Sequence, residues 1–180
     1  MIYKDFHYER LDLKKSKSIL NKIISDFKNA DSAKIQIEAI KEVDGFSREY
    51  MTYQAMASLN YSRDINDDSA KNEKDYYDSI SPDMREIYDS FDKVLHQSKF
   101  KSEINDMFGD AFLSQIEINL KTFDSKIKGM LKEEIELKNE YTKLTAGAKI
   151  EFEGKEYNLA GLGPFHSNVN RSVRKESYEA

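Results

Sequence analysis

Apolar residues recur at helical spacing through most of the chain. Leu13, Leu20, Ile23, Ile24 and Phe27 fall three, four or seven positions apart with Lys and Ser between them, which predicts an amphipathic helix over about residues 12–28. A wider stripe of Ile37, Ile40, Val43, Phe46, Tyr50, Met51, Tyr53 and Ala57 predicts a second helix over about 32–61. Asp31 or Ser32 can cap it, because a side-chain oxygen there accepts from a backbone amide that has no helical partner. Gly45 inside this helix costs about 1 kcal/mol relative to Ala and points to a bend or a close helix contact. After the polar cluster Asp64 to Ser69, the face formed by Tyr77, Ile80, Met84, Ile87, Tyr88, Phe91, Val94 and Leu95 predicts a third helix over about 69–97. Pro82 lacks an amide donor, so a break or restart is expected near Ser81. Two shorter helices follow, one ending near Gly109 and one carrying Phe112, Leu113, Ile116 and Leu120. A last long helix is expected over about 125–148, with Ile127, Met130, Leu131, Ile135, Tyr141 and Leu144 facing inward.

The period then changes from helical to alternating, which predicts a hairpin over 149–160. With Gly154-Lys155 as a two-residue loop, glycine takes the positive φ that a type II′ turn needs, Phe152 faces Tyr157 and Ile150 faces Leu159. A loop at Glu153-Gly154 also alternates but sets Phe152 against Lys155, a poorer pairing. Two strands alone are marginal, so the apolar face of Ile150, Phe152, Tyr157 and Leu159 must be covered by helices or another sheet. Asn168 is expected to cap a final helix over 169–180, and RSVRKESYEA closes that helix without a Gly or Pro stop, as a cut inside a longer protein would. The expected fold is mainly α, a bundle of long antiparallel helices with one β-hairpin near residues 149–160.

Composition supports helices and narrows the chemistry. The chain has 180 residues, 34% charged, with only 7 Gly and 2 Pro, which suits long solvated helices better than many strands and turns. Cysteine is absent, so disulfides, thiolate metal sites and cysteine nucleophiles are excluded. A net charge of -5 with acids interspersed among the lysines opposes a nucleic-acid partner. The opening MIYKDFHYERLDL has no signal-peptide core and no later stretch approaches a membrane span, so a soluble, cytoplasmic protein is expected.

Candidate catalytic groups do not assemble in the sequence. No HExxH occurs, and His7, His96 and His166 each lack a second histidine three to five residues away. Glu133, Glu134 and Glu136 stand beside Lys132 and Lys138 on the last long helix, where a solvated, salt-bridged surface accounts for them. Asp64 to Asp75 places oxygen ligands at positions one, three, five and twelve of a calcium loop. Ser69 stands where the turn needs Gly, however, and Asp75 where a longer Glu is usual. The expected role of this segment is a turn between helices, with Asp67 or Asp68 as cap. GxGxxG, P-loop and GxSxG motifs are absent, and the tyrosines and phenylalanines mostly follow the helical stripes of a core. No catalytic, cofactor-binding or metal-ligating residue is assigned.

Several segments resemble, in order, the amino-terminal part of oligoendopeptidase F type M3 zinc peptidases. They are YERLDL, IQIEAIKEVDGFSREYMTYQAMASL, NEKDYYDSISP, KFKSEINDMFGDAFLSQIEINLKTF and EYTKLTAGAKIEFEGKEYNLAGLGPF. The departures are Asn60 and Tyr61, where such sequences often carry Arg and His, and Ile135, where Asn is common. The resemblance implies a helical domain, residues 1–180, of a longer zinc endopeptidase that cleaves short peptides. This domain would form one wall of the substrate channel. Zinc and its general-base glutamate would lie in a catalytic domain that this chain lacks, so no cofactor is expected in the chain and no activity from it alone. The expected partners are that domain, short peptides in the intact enzyme, and a second copy of the fragment. The alternative is a stand-alone helical module that binds peptides or a protein without catalysis.

Overall fold

The computed structural model describes residues 8–180, which form two compact units dividing in sequence between Lys132 and Glu133. Among the described residues there are eight α-helices and one antiparallel hairpin.

The first unit is built on three helices: α1 (Leu13–Asn29), α2 (Ala33–Arg63) and α3 (Asp68–His96). Their apolar stripes meet in one core containing Leu20 and Phe27 from α1, Ile40, Val43 and Tyr50 from α2, and Tyr77, Met84, Phe91 and Leu95 from α3. Phe27 and Phe91 pack edge to face with ring centroids 5.3 Å apart. Asp12 caps α1 through the Lys15 amide, and Asp67 caps α3 by accepting from the amides of Ser69 and Ala70. Residues 68–75, the last two-thirds of the suspected calcium loop, are therefore helix, with Lys71 paired to Asp75 one turn on. Ser32 occupies the cap position of α2 but makes no side-chain capping bond. Gln36 does more there. Buried at the start of α2, it donates to the Phe27 carbonyl at 3.0 Å and accepts from the Ser98 hydroxyl, joining three chain segments without an unpaired amide.

The expected break at Ser81 does not occur: α3 runs unbroken through Pro82. Proline at that position leaves the Asp78 carbonyl without its helical donor, and the Ser81 hydroxyl supplies one at 3.1 Å. Pro82 itself is fully buried, so its ring adds to the core in place of the lost bond. Gly45 likewise marks no close approach, because a Cβ built there would meet nothing within 4 Å. Met51, placed on the buried stripe by spacing, is 62% exposed at the edge of α2.

An extended segment before α1 straps the unit together. Tyr8 donates to Glu73 at 2.6 Å, Arg10 forms a forked ion pair with the same carboxylate, and the guanidinium lies 4.6 Å from the Tyr76 ring centre. Arg10 first, and Tyr8 after it, hold the Glu73 carboxyl below its usual range against the opposing effect of burial. The Tyr77 hydroxyl accepts from the Leu11 amide, and Tyr76 accepts from the Leu13 amide.

Two shorter helices, α4 (Lys101–Phe108) and α5 (Asp110–Thr122), complete the bundle. Gly109 between them has φ +83°, a conformation open to glycine and costly for other residues. Ile104 is the buried anchor of α4 and Ile116 that of α5. The sixth helix, α6 (Lys128–Ala146), starts in the first unit, where Lys128 bonds Asp83 at 2.8 Å and Glu86 at 2.7 Å while Lys17 reaches Asp83 from α1. Burial alone would raise the Asp83 carboxyl, but the two lysines together outweigh it and hold the group below its usual value. A lowered folded value means that this stabilisation is complete above the unfolded-state pKa near 4 and is lost as pH falls through the folded value. Asp83→Asn is therefore expected to cost about 1 kcal/mol at pH 7 and almost nothing at pH 2, because the pairs are partly solvated. Urea midpoints of both proteins at the two pH values measure the difference.

The inward face expected for the last long helix is not found, for α6 has no buried residue. Met130, Tyr141 and Leu144 are 67–74% exposed, and Leu137 is 59% exposed. Spacing places Met130, Tyr141 and Leu144 on one stripe but does not say whether this chain covers it.

In the second unit, β1 (Ile150–Phe152) pairs with β2 (Lys155–Tyr157) in the register Ile150 to Tyr157 and Phe152 to Lys155. This corrects the expected Gly154-Lys155 loop. The turn residues are Glu153 and Gly154 with φ +49° and +73°, and positive φ at both central positions is the requirement of a type I′ turn, whose twist suits the strands. Phe152 does not need a cross-strand aromatic, because Phe165 covers it at 5.0 Å and Tyr157 at 5.2 Å, both edge on. Leu159 is not in a strand: Asn158 accepts from the Gly161 amide, the chain turns helical at Leu159, and that side chain is 51% exposed. A short helix, α7 (Gly163–His166), carries Phe165, and α8 (Arg171–Glu179) follows. Its cap is Asn170, through the Ser172 amide, and not Asn168, whose side chain instead holds the Asn170 amide in the preceding turn.

Candidate functional site

A cleft of about 430 Å³ opens on the first unit between α2, α3 and α5. Its walls are mostly apolar, with Ile40 and Val43 from α2, Met84 and Phe91 from α3, and Phe112 and Ile116 from α5. Polar side chains reach it from all three helices, among them Asp44 and Gln54 of α2, Arg85 and Asp92 of α3 and Asn119 of α5, beside the tyrosines Tyr50 and Tyr88 of the core stripes. Tyr50 is 6% exposed, yet its hydroxyl has no hydrogen-bond partner, and the buried hydroxyl of the half-buried Tyr88 has only the Ser47 side chain beside it. Burial, and after it the neighbouring Tyr88, raises the Tyr50 phenol; burial raises Tyr88 too, with Ser47 nearby opposing. Both therefore remain protonated donors at neutral pH. A buried hydroxyl without a partner is a net cost, so Tyr50→Phe is expected to stabilise the folded chain by about 1 kcal/mol. A urea titration that shows a loss of that size would reveal a bond to this hydroxyl.

Charges lie toward the two ends of the α3 wall. Arg85 stacks its guanidinium 5.7 Å from the Phe123 ring centre and forms no ion pair among the described residues. Two helical turns further on, Asp92 is buried and accepts from the Asn119 side chain at 3.0 Å. Burial raises the Asp92 carboxyl, while Asn119 and the charge of Arg85 act in the opposite direction. Asp44, on α2, is already paired with Arg48.

A second, more polar cavity lies beside the strap, lined by Tyr8, Asn60, Arg63, Asp64, Asp67 and Glu73 among others. Its carboxylates are committed: Asp64 and Asp67 hold backbone amides and Glu73 holds Tyr8 and Arg10. Tyr61, at one of the departures from the M3 pattern, is buried with the Lys74 ammonium 5.8 Å from its ring centre.

The histidines have local accounts. His7 lies outside the described residues. His96 is half-buried in the last turn of α3, and His166 stacks on Tyr178 at 4.1 Å with Nε2 3.0 Å from the Ser177 carbonyl. Glu133, Glu134 and Glu136 are exposed on α6, and Glu134 pairs with Lys138. No group of three or more His, Asp and Glu side chains among the described residues is arranged to hold a metal ion. The described residues therefore do not fit a catalytic zinc site. Nor is any helix among the described residues long and apolar enough to cross a membrane. The cleft went unread in the sequence because Tyr50 and Tyr88 fall on core stripes, and periodicity carries no signal about an unsatisfied hydroxyl at the tip of a buried ring.

Fold and cleft together define a mainly helical unit followed by a small hairpin unit. Residues 3–123 match the family model of the peptidase M3 N-terminal domain, and the chain belongs to that family. Among solved structures, a protein assigned as oligoendopeptidase F is 33% identical, with a TM-score of 0.92 over 99% of this chain and 32% of its own. PZ peptidase A, solved with an inhibitor, is 32% identical with a TM-score of 0.92 over the same shares. A protein from Bacillus anthracis strain Ames assigned as oligoendopeptidase F is 29% identical with a TM-score of 0.90, over 98% of this chain and 32% of that one. The chain thus spans about a third of the length of these proteins. No curated protein matches it.

Proposed function

We propose that residues 1–180 act as the non-catalytic amino-terminal helical domain of a zinc metallo-oligoendopeptidase that cleaves short peptides in the cytoplasm, and that they form one wall of its substrate channel. The observation that carries this reading is the match to oligoendopeptidase F structures along 99% of this chain but only 32% of theirs. The family model, which describes an N-terminal domain, supports the same assignment. Peptide hydrolysis on zinc needs a metal that activates water and polarises the carbonyl, and that chemistry would come from a catalytic domain supplied by the remainder of such a peptidase. The residues of this chain would position and enclose the peptide.

The test is complementation in trans. The chain is mixed with the other two-thirds of the Bacillus anthracis oligoendopeptidase F and zinc, and cleavage of a fluorogenic short peptide is followed. Hydrolysis by the mixture and none by the chain with zinc is expected. Robust hydrolysis by this chain at one zinc per molecule would overturn the proposal, and failure of the mixture with tight binding of an unrelated protein would favour a stand-alone interaction module.

A further inference from the structure

The cleft on the first unit has an imbalance that its own residues do not resolve. The Tyr50 hydroxyl is buried and protonated with no acceptor, the Tyr88 hydroxyl has only the Ser47 side chain beside it, and the exposed Arg85 forms no ion pair among the described residues. These three donors face a site of about 430 Å³, a size that suits a small ligand. At the other end of the same wall Asp92 keeps one carboxylate oxygen beyond its bond to Asn119. The site is therefore polarised along α3, with a cation at one end, an anion at the other and apolar side chains between.

The spacing selects the ligand. Arg85 and Asp92 are seven residues apart on one helix, which at about 1.5 Å per residue separates them by about 10 Å along its axis. An extended chain covers about 3.3–3.6 Å per residue, so about three residues span that distance. Resting on the peptidase reading above, we propose that the cleft binds a free peptide of about three residues with apolar side chains, its carboxylate on Arg85, its ammonium on Asp92 and its backbone carbonyls facing the Tyr50 and Tyr88 hydroxyls. Such a ligand supplies acceptors to all three donors and a donor to the carboxylate. It has the chemistry of a product or short substrate of peptide hydrolysis. A site reading both ends would favour short peptides over the interior of a long chain, since an internal segment brings neither charge.

Calorimetry on the whole chain with the tripeptide Leu-Ala-Leu tests this in four forms: free, amino-acetylated, carboxy-amidated and capped at both ends. Each single cap is expected to weaken binding at least tenfold. Arg85→Gln should bind the free and amidated forms alike, and Asp92→Asn should bind the free and acetylated forms alike, because each variant deletes the group its cap would deny. Arg85 is exposed, so its replacement leaves the fold intact and decides the carboxylate end even if the Asp92 variant is unstable. Equal affinity for all four forms would overturn the reading of the termini while leaving a peptide-facing wall. No binding at millimolar peptide, alongside restored hydrolysis in trans, would overturn the cleft proposal and spare the domain assignment.

Discussion

Phe27→Ala is expected to cost about 4 kcal/mol, as befits a fully buried phenylalanine. The ring is completely buried, it meets Phe91 edge on at 5.3 Å, and it sits where α1, α2 and α3 converge. Its surroundings also resist collapse. Gln36 is tied to the Phe27 carbonyl on one side and to Ser98 on the other, so the backbone that would have to move into the vacated space is held by buried hydrogen bonds. A cavity that cannot close adds its own penalty to the lost transfer free energy, which places the expected cost above that of a Leu or Ile truncation at a softer site. Urea unfolding followed by circular dichroism measures it. A loss below about 2 kcal/mol would mean that neighbouring side chains refill the space.

Phe165→Ala is expected to abolish the hairpin while leaving the first unit intact. The two strands are three residues each, and a hairpin of that size has little stability of its own. Phe165 contacts the single aromatic ring of each strand, Phe152 and Tyr157, so its removal uncovers both at once. Phe165 is half-buried, so its truncation costs less than the ~3–5 kcal/mol of a core phenylalanine, yet even part of that exceeds what two such short strands can hold. Amide exchange resolves the effect by residue. Protection of the Ile150 to Tyr157 backbone should vanish, with protection in α1 to α3 unchanged. Retained protection of the hairpin in the variant would show that Phe165 is dispensable.

These contrasts explain what could be read from the sequence. Leu20, Phe27, Ile40, Tyr77 and Leu95 follow a helical period and are buried, because a bundle core is made of the stripes themselves. Pro82 misled because helix continuity there depends on the Ser81 rotamer, a choice invisible to spacing. Cross-strand pairing alone does not fix the hairpin register, because Phe152 finds its aromatic partner in α7, thirteen positions along the chain. Glu153 also accepts positive φ, which a rule favouring glycine at the first turn position does not anticipate. On α6 the stripe of Met130, Tyr141 and Leu144 is legible, but its cover is not, and Leu137, 59% exposed, is not among the residues expected to face inward. The cleft is a property of three helices at once. Its donors become conspicuous only when their missing acceptors can be counted.

The unbroken course of α3 also has a mechanical meaning. At 29 residues and about 1.5 Å per residue it is a strut about 43 Å long. Glu73, gripped by the strap, lies near one end, Pro82 is clamped in the middle, and Arg85, Tyr88 and Asp92 follow. Because Ser81 repairs the weak joint, the helix has no hinge there to absorb displacement. The anchor of the strap and the polar residues of the cleft are thereby held at a fixed spacing along a single axis.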